Sequence, residues 1–98
     1  MHKFQSEATD VLFQAIRSLQ TDEEYYRFFE DLCTIKELQE MSQRFQITRL
    51  LSGGSNYQEI TAETHVSTAT ISRVNKCLRY GSGGYRAAIE KLKSGEGT

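Results

Sequence analysis

The sequence contains no proline and no tryptophan, only two cysteines, and no long run of apolar residues. Proline breaks helices, so its absence leaves room for uninterrupted ones. Cys33 and Cys77 are too few and too far apart for a zinc site of the usual spacing or for a disulfide framework. We expect both to be small buried or half-buried residues within helices.

The apolar residues also bear on where the protein acts. No stretch is long or apolar enough to span a membrane, and the start of the chain lacks the apolar segment of a signal peptide. We therefore expect a cytoplasmic protein without a membrane partner.

The length of 98 residues and the hydrophobic content of 38% are typical of one folded domain with a modest core. Alternating apolar and polar residues are rare, which favours an all-α protein with six helices. We expect a single domain over 1–98. Its predicted parts are dimerisation helices at 7–55, a helix-turn-helix at 56–80 and a C-terminal helix at 84–94, followed by a disordered tail from Ser94.

The charge is almost balanced overall but unevenly distributed. The net charge is −1; residues 1–55 hold six basic and nine acidic side chains, and residues 56–98 hold six basic and four acidic. The excess of positive charge therefore lies in the C-terminal part of the chain. This is the part that we expect to face a nucleic acid.

The segment 56–78 has the pattern of two short helices joined by a tight turn. Asn56 followed by Glu59 has the spacing of a capping box, and Ser67 is a good N-cap for the second helix. His65 and Val66 form the turn, in which His65 takes the left-handed backbone that glycine usually adopts. Two helices joined in this way form a helix-turn-helix, which places its second helix in the major groove of DNA.

The second helix of the pair has one apolar and one polar face. Ile71, Val74 and Leu78 recur at spacings of three and four and should be buried. The outer face begins with short side chains suited to base edges and continues with cations suited to phosphates. We expect contacts to bases or the adjacent backbone from Thr68, Ala69 and Ser72, and contacts mainly to phosphates from Gln58, Arg73 and Lys76. The alternative is a merely solvated face, as on helix pairs of many all-helical proteins.

The helices before the pair pose a different problem. Around the second predicted helix, aromatic and apolar residues cover most of the circumference, so it needs covering on several sides. Thr34 and Glu37 form another capping box, which begins the longest helix. The main apolar stripe of that helix consists of Ile35, Leu38, Met41 and Phe45, continued by Leu50 and Leu51.

No combination of residues has the spacing of a catalytic site, a metal site or a phosphate-binding loop. We therefore expect a protein that is not an enzyme and holds no metal.

The helix order, the run Thr68-Ala-Thr-Ile-Ser-Arg73 and the set Thr34, Arg44, Thr70 and Arg73 resemble the bacterial Trp repressor family, in particular its smaller Trp-repressor-like proteins. The resemblance covers most of the chain and is strongest over 32–80. It implies an intertwined homodimer whose two reading heads bind successive major grooves of double-stranded DNA. The implied function is a sequence-specific transcriptional regulator, a repressor.

The resemblance also implies an effector pocket. In the family L-tryptophan is stacked between two arginines, which correspond to Arg44 and Arg73, and polar groups correspond to Thr34 and Thr70. Two residues depart from the pattern: Val74 replaces a glycine and Cys77 a serine. Valine would fill space that the indole needs, and a thiol is a weak substitute for a hydroxyl. We therefore expect no cofactor and no tryptophan, with another small effector as the alternative.

Three of the four pocket residues have a simpler interpretation, whereas Arg73 is functional either way, because a phosphate contact needs it as much as a ligand would. Thr34 is a helix cap, Thr70 a packing or backbone-bonded hydroxyl, and Arg44 a solvated or phosphate-facing side chain. The rival function is a protein–protein interaction module that keeps the fold without binding DNA and docks partners through its aromatic second helix.

Overall fold

The computed structural model describes residues 2–96, and all regular structure in that part of the chain is helical. The six helices are α1 (Glu7–Arg17), α2 (Asp22–Leu32), α3 (Ile35–Ser52), α4 (Tyr57–Thr64), α5 (Thr68–Tyr80) and α6 (Gly84–Glu96). The predicted all-α class and the number of helices are confirmed. Within residues 2–96, no helix combines the length and the hydropathy that crossing a membrane requires.

Polar side chains begin the first five helices, as the sequence indicates. Each N-cap oxygen accepts a hydrogen bond from the amide three residues later, which satisfies a backbone donor that the helix leaves free. The N-cap residues are Ser6, Thr21, Thr34, Asn56 and Ser67. At Thr21, Thr34 and Asn56 the bond is reciprocated by a glutamate in the first turn, so the predicted capping boxes at Thr34 and Asn56 are confirmed.

Residues up to Leu38 form one compact unit, which contains α1, α2 and the first turn of α3. None of its described side chains is fully buried. Phe28 and Phe29 of α2 are half-buried and pack edge to face, with ring centroids 5.5 Å apart. Several large apolar side chains of this unit are exposed: Phe4, Val11, Phe13, Tyr25, Tyr26, Leu32 and Ile35.

Residues from Gln39 form the second compact unit. Its central buried cluster consists of four side chains contributed by α3, α4 and α5: Ile47, Ile60, Ile71 and Val74. Leu50, Leu51, Tyr57, Val66 and Tyr85 pack around them. Ile89 of α6 is also buried. The helix pair and the second half of α3 therefore share one core.

The predicted apolar stripe of α3 is only partly buried within the single chain. Ile35 and Met41 are exposed, whereas Ile47 and Thr48 are completely buried. Ile47 is buried because α4 and α5 supply Ile60 and Ile71 to cover it. Thr48 can be buried because its hydroxyl donates to the carbonyl of Arg44 at 2.9 Å, which leaves no unsatisfied polar group.

Two further expectations need correction. Cys33 is half-buried, as expected, but Cys77 is exposed because it lies on the flank of α5, away from the Ile71 and Val74 face. The sequence predicts a disordered tail from Ser94, whereas the structure continues α6 to Glu96. Lys93 in its last turn suits the negative end of the helix dipole. Gly97 and Thr98 lie outside the described residues.

Replacement of the α3 cap gives a first prediction. Thr34→Ala should lower the free energy of unfolding by about 1 kcal/mol, because the side-chain acceptor of the helix N-terminus is lost. Thr34→Ser keeps that acceptor and should retain most of the stability. Urea unfolding of the three proteins measures the difference. Equal loss in both variants would show that the hydroxyl is not what stabilises this helix.

The same cap makes stability depend on pH. The Thr34 amide donates to the Glu37 carboxylate at 2.8 Å. This bond, together with a side-chain hydrogen bond between the Thr34 hydroxyl and the same carboxylate, holds the pKa of Glu37 below its ordinary value. A carboxyl whose pKa is lowered in the folded state stabilises the fold above its ordinary pKa. That contribution is lost as the pH falls through the folded-state value. The stability difference between wild type and Glu37→Gln should therefore shrink on acidification.

Candidate nucleic-acid interface

A three-residue turn, His65 to Ser67, joins α4 to α5. His65 has φ 61° and ψ 23°, which is the left-handed conformation, and it is the one non-glycine residue with positive φ in the described part of the chain. Its amide donates to the carbonyl of Thr61 at 2.8 Å and closes the last turn of α4. The predicted left-handed turn at His65 is confirmed.

Two contacts hold the turn against the core. The hydroxyl of Thr64 donates to the carbonyl of Ile60 at 2.7 Å and accepts from the amide of Val66 at 3.3 Å. The Val66 side chain packs against the buried cluster of Ile47, Ile60, Ile71 and Val74. The connection between the two helices is therefore fixed by hydrogen bonds and by packing.

The N-terminus of α5 is open to an electronegative partner. Ser67 caps it by accepting from the amide of Thr70 at 3.3 Å, and its first turn holds no acidic residue. Free amides and the positive end of the helix dipole at such a terminus favour phosphate oxygens and the acceptor edges of bases.

All of the side chains that we predicted to contact DNA are exposed. Ile71 and Val74 point into the core, and Leu78 is half-buried beside them. The exposed residues are Thr68, Ala69, Ser72, Arg73 and Lys76 of α5, together with Gln58 in the first turn of α4. The face of α5 opposite the core is thus short and polar at its start and cationic further along.

The cations of α5 differ in how they are held. Arg79 donates through Nε to Asn75 Oδ1 at 3.0 Å, which fixes it on the flank of the helix. Among the described residues, neither Arg73 nor Lys76 is paired with a carboxylate; the ion pair formed in that part of the chain joins Arg27 to Glu23. Both cations are therefore available to an external anion.

Three of the four predicted effector residues line one hollow of the second unit. Arg44, Thr70 and Arg73 surround a space of about 360 Å³ together with Glu40, Gln43, Val66 and Val74. Arg44 and Arg73 carry the guanidinium planes that a flat ligand could stack on. The carboxylate of Glu40 and the amide of Gln43 add polar groups to its lining.

The residues that depart from the family pattern lie differently. Val74 is part of the lining, but it is only 4% exposed and its side chain belongs to the core cluster. Cys77 is not among the residues that line this hollow. Thr34 lies in the first compact unit, where its hydroxyl caps α3.

Sequence reasoning missed one residue that supports α5. Arg86, in the first turn of α6, donates through Nε to the carbonyl of Leu78 at 3.1 Å and through Nη2 to that of Arg79 at 2.8 Å. These are C-terminal carbonyls of α5, which have no partner within the helix. No local pattern indicates this contact, because it depends on how α6 folds back after the turn at Gly81–Gly84.

A metal site is not formed by the residues that the structure describes. Between positions 2 and 96, no group of three or more His, Cys, Asp and Glu side chains is arranged to hold a metal ion.

Comparison with known proteins places the chain in a family. Six helices whose fourth and fifth form a compact helix-turn-helix define an all-α helix-turn-helix protein. The family model for Trp repressor protein matches residues 7–93. The chain belongs to the Trp repressor family, which is a family of regulator-type proteins and not of enzymes.

Individual relatives match nearly the whole chain. The uncharacterized protein YerC of Bacillus subtilis (strain 168) is 48% identical over 94 residues, which cover 96% of this chain and 90% of YerC. A TrpR-like protein from Eubacterium eligens (ATCC 27750) superposes with a TM-score of 0.88 at 47% identity, covering 93% of this chain and 94% of its own. A structure from Staphylococcus aureus superposes with a TM-score of 0.87 at 42% identity; the match covers 93% of this chain and 91% of that structure's chain.

Proposed function

We propose that this protein is a cytoplasmic, homodimeric, sequence-specific DNA-binding regulator of transcription and that it acts as a repressor. The observation that carries the proposal is the outer face of α5. It starts with the exposed Thr68 and Ala69 and continues with two cations, Arg73 and Lys76, that have no carboxylate partner among the described residues. Family membership supports the same function.

The residues divide by the chemistry of their side chains. Thr68, Ala69 and Ser72 are short enough to let the helix approach base edges, which is where sequence is read. Arg73 and Lys76 are long and cationic and bind phosphates, as does the amide of Gln58 at the start of α4. Phosphate contacts fix the position of the helix on the duplex and supply most of the salt-dependent affinity.

The first unit provides the argument for a homodimer. Helices of 11 residues such as α1 and α2 are marginal alone in water, and their stability comes from packing. Yet no described side chain of this unit is fully buried, and Tyr26 and Ile35 are 75% and 73% exposed. A second copy covers these side chains in our proposal. It also adds a second reading head, which a palindromic site requires.

We further propose that DNA binding does not depend on L-tryptophan. Arg44, Thr70 and Arg73 are kept around the hollow, but Val74 fills the place of the family glycine and is packed into the core. A ligand that needed this space would have to displace a core side chain.

The effect of added effector tests that statement. Saturating L-tryptophan should change the DNA dissociation constant by less than about twofold, whereas allosteric effectors typically change affinity about 5- to 150-fold. Fluorescence anisotropy with a labelled duplex, with and without the amino acid, measures this. Parallel titrations with the other amino acids and with purines test for a different effector. A fivefold or larger response to L-tryptophan contradicts the proposal.

The exposed aromatic surface of α2 favours one other function, a protein–protein interaction module without DNA binding. Tyr25, Tyr26 and Leu32 are all exposed there. A gel shift against genomic fragments at low and moderate salt separates the two functions. A DNA-binding regulator selectively retards some fragments at moderate salt, whereas a pure interaction module retards none selectively.

A further inference from the structure

Tyr80 is the last residue of α5 and is 83% exposed, the highest value among the large apolar and aromatic side chains of the described chain. The other tyrosines of the second unit, Tyr57 and Tyr85, pack against the core. Tyr80 takes no part in that core. Its exposed ring is therefore available to a partner outside the described chain.

Tyr80 lies on the face of α5 that carries the proposed DNA contacts. It follows Lys76 by four residues and Arg73 by seven, and residues at these spacings share one helix face. The buried residues Ile71 and Val74 occupy the opposite side. The outer face of α5 therefore carries Arg73 and Lys76 and, at the end of the helix, the phenol of Tyr80.

The end of α5 is held rigidly. Arg86 donates to the carbonyls of Leu78 and Arg79 at 3.1 and 2.8 Å, and the amide of Gly81 donates to Cys77 at 2.9 Å. A Cβ at position 81 would come within 2.3 Å of the Cys77 carbonyl oxygen, so only glycine fits this close return of the chain. The last turn is thus fixed as helix, and the backbone that carries Tyr80 has a defined position.

The length of α5 determines what Tyr80 can reach. From Ala69 to Tyr80 the helix rises about 16 Å, whereas the major groove is about 12 Å wide and 8.5 Å deep. When the first turn of α5 meets base edges, its last residue lies beyond the bases, at the level of the sugar–phosphate backbone. The neighbouring side chains suit that partner, because α5 holds Arg73, Lys76 and Arg79 and no acidic residue.

We propose that the Tyr80 hydroxyl donates a hydrogen bond to a backbone phosphate of the bound DNA, as a contact that anchors the C-terminal end of α5. This inference rests on the proposed DNA binding and adds a neutral contact to it. Tyrosine is one of the side chains that bind phosphate oxygens in protein–DNA complexes. Such a contact carries no sequence information and releases no counterion.

These properties define the test. Tyr80→Phe removes only the hydroxyl and Tyr80→Ala the whole side chain; each should raise the dissociation constant about tenfold, since hydrogen bonds to charged groups are the strong ones. The loss should be the same on a selected site and on an unrelated duplex, with an unchanged slope of affinity against salt. Lys76→Ala should instead reduce the steepness of that slope. Anisotropy titrations at several salt concentrations measure both quantities.

Two controls separate the possible outcomes. Leu92→Ala removes another exposed apolar side chain, on α6 outside the helix pair, and should leave affinity unchanged. Thermal unfolding of Tyr80→Phe should match wild type, because the hydroxyl has no hydrogen bond within the described chain. If wild type binds DNA and Tyr80→Phe binds equally well, the hydroxyl contact is wrong while the proposed function stands. If wild type binds no DNA at any salt concentration, both are wrong.

Discussion

Ile35→Asp should convert the proposed homodimer into a monomer. Ile35 is the first residue of α3 and 73% exposed in a single chain. For an isolated chain the change should be harmless or favourable, because acidic residues suit the first turn of a helix. Against a partner subunit, the same carboxylate would be buried in place of an apolar side chain.

The size of the expected effect follows from that burial. An uncompensated buried charge costs about 3–5 kcal/mol, and a symmetric dimer contains two copies of it. The two copies together cost at least about 6 kcal/mol, so the dimer dissociation constant should rise at least about ten-thousandfold, since each factor of ten corresponds to about 1.4 kcal/mol. Tyr26→Asp, on the exposed side of α2, should act in the same direction.

Light scattering coupled to size-exclusion chromatography measures the mass, and circular dichroism measures whether α1 and α2 lose helix in the monomer. Lys36→Asp is the matched control, since it introduces the same side chain at the next position of α3, where the present residue is already polar. The proposed dimer is contradicted if wild type elutes with the mass of one chain. It is also contradicted if Ile35→Asp and Tyr26→Asp both keep the wild-type mass.

Arg73→Ala and Lys76→Ala should each weaken binding to all DNA sequences and flatten its salt dependence. Each substitution removes one phosphate contact per reading head, or two per dimer, so the slope of log K against log salt should fall by about 1.8. At moderate salt the affinity should fall about 10- to 100-fold, and the double variant should lose more. The two cations are exposed and lack a carboxylate partner within residues 2–96, so their removal should cost little stability.

Lys91→Ala is the control for this pair. It removes the same charge from the exposed surface of α6, outside the helix pair, and should change neither affinity nor slope appreciably. Titrations of all the variants on one duplex at about 50 to 200 mM salt provide the comparison. Unchanged affinity in both Arg73→Ala and Lys76→Ala would contradict the assignment of this face to DNA.

The parts of the fold that depend on neighbouring residues were predictable from the sequence. Caps at Thr34, Asn56 and Ser67 follow from hydrogen bonds that span three residues, and the structure contains them. The left-handed backbone at His65 follows from its place in a helix-turn-helix turn, where glycine is usual and histidine is tolerated. The exposed face of α5 follows from the spacing of Ile71 and Val74, which fixes what remains outside.

The parts of the fold that depend on distant residues were not predictable from the sequence. The α3 stripe at Ile35 and Met41 has helical spacing, but burial also requires a neighbour, and within the chain the neighbours cover Ile47 instead. Arg86 reaches the end of α5 only because of the turn between them, which no spacing rule describes. The family resemblance implied an effector pocket of four residues. Three of them line one hollow, whereas Thr34 caps a helix.

The central claim, that the outer face of α5 reads DNA as part of a dimer, is tested most directly by selecting bound sequences from a random pool of duplexes with the wild-type protein. The proposal predicts enrichment of a two-fold symmetric site whose half-sites lie about one helical turn apart. The double variant, which carries both Arg73→Ala and Lys76→Ala, should not enrich this site. A pool that remains random after repeated selection at low salt, or an enriched site that the double variant recovers equally well, would contradict it.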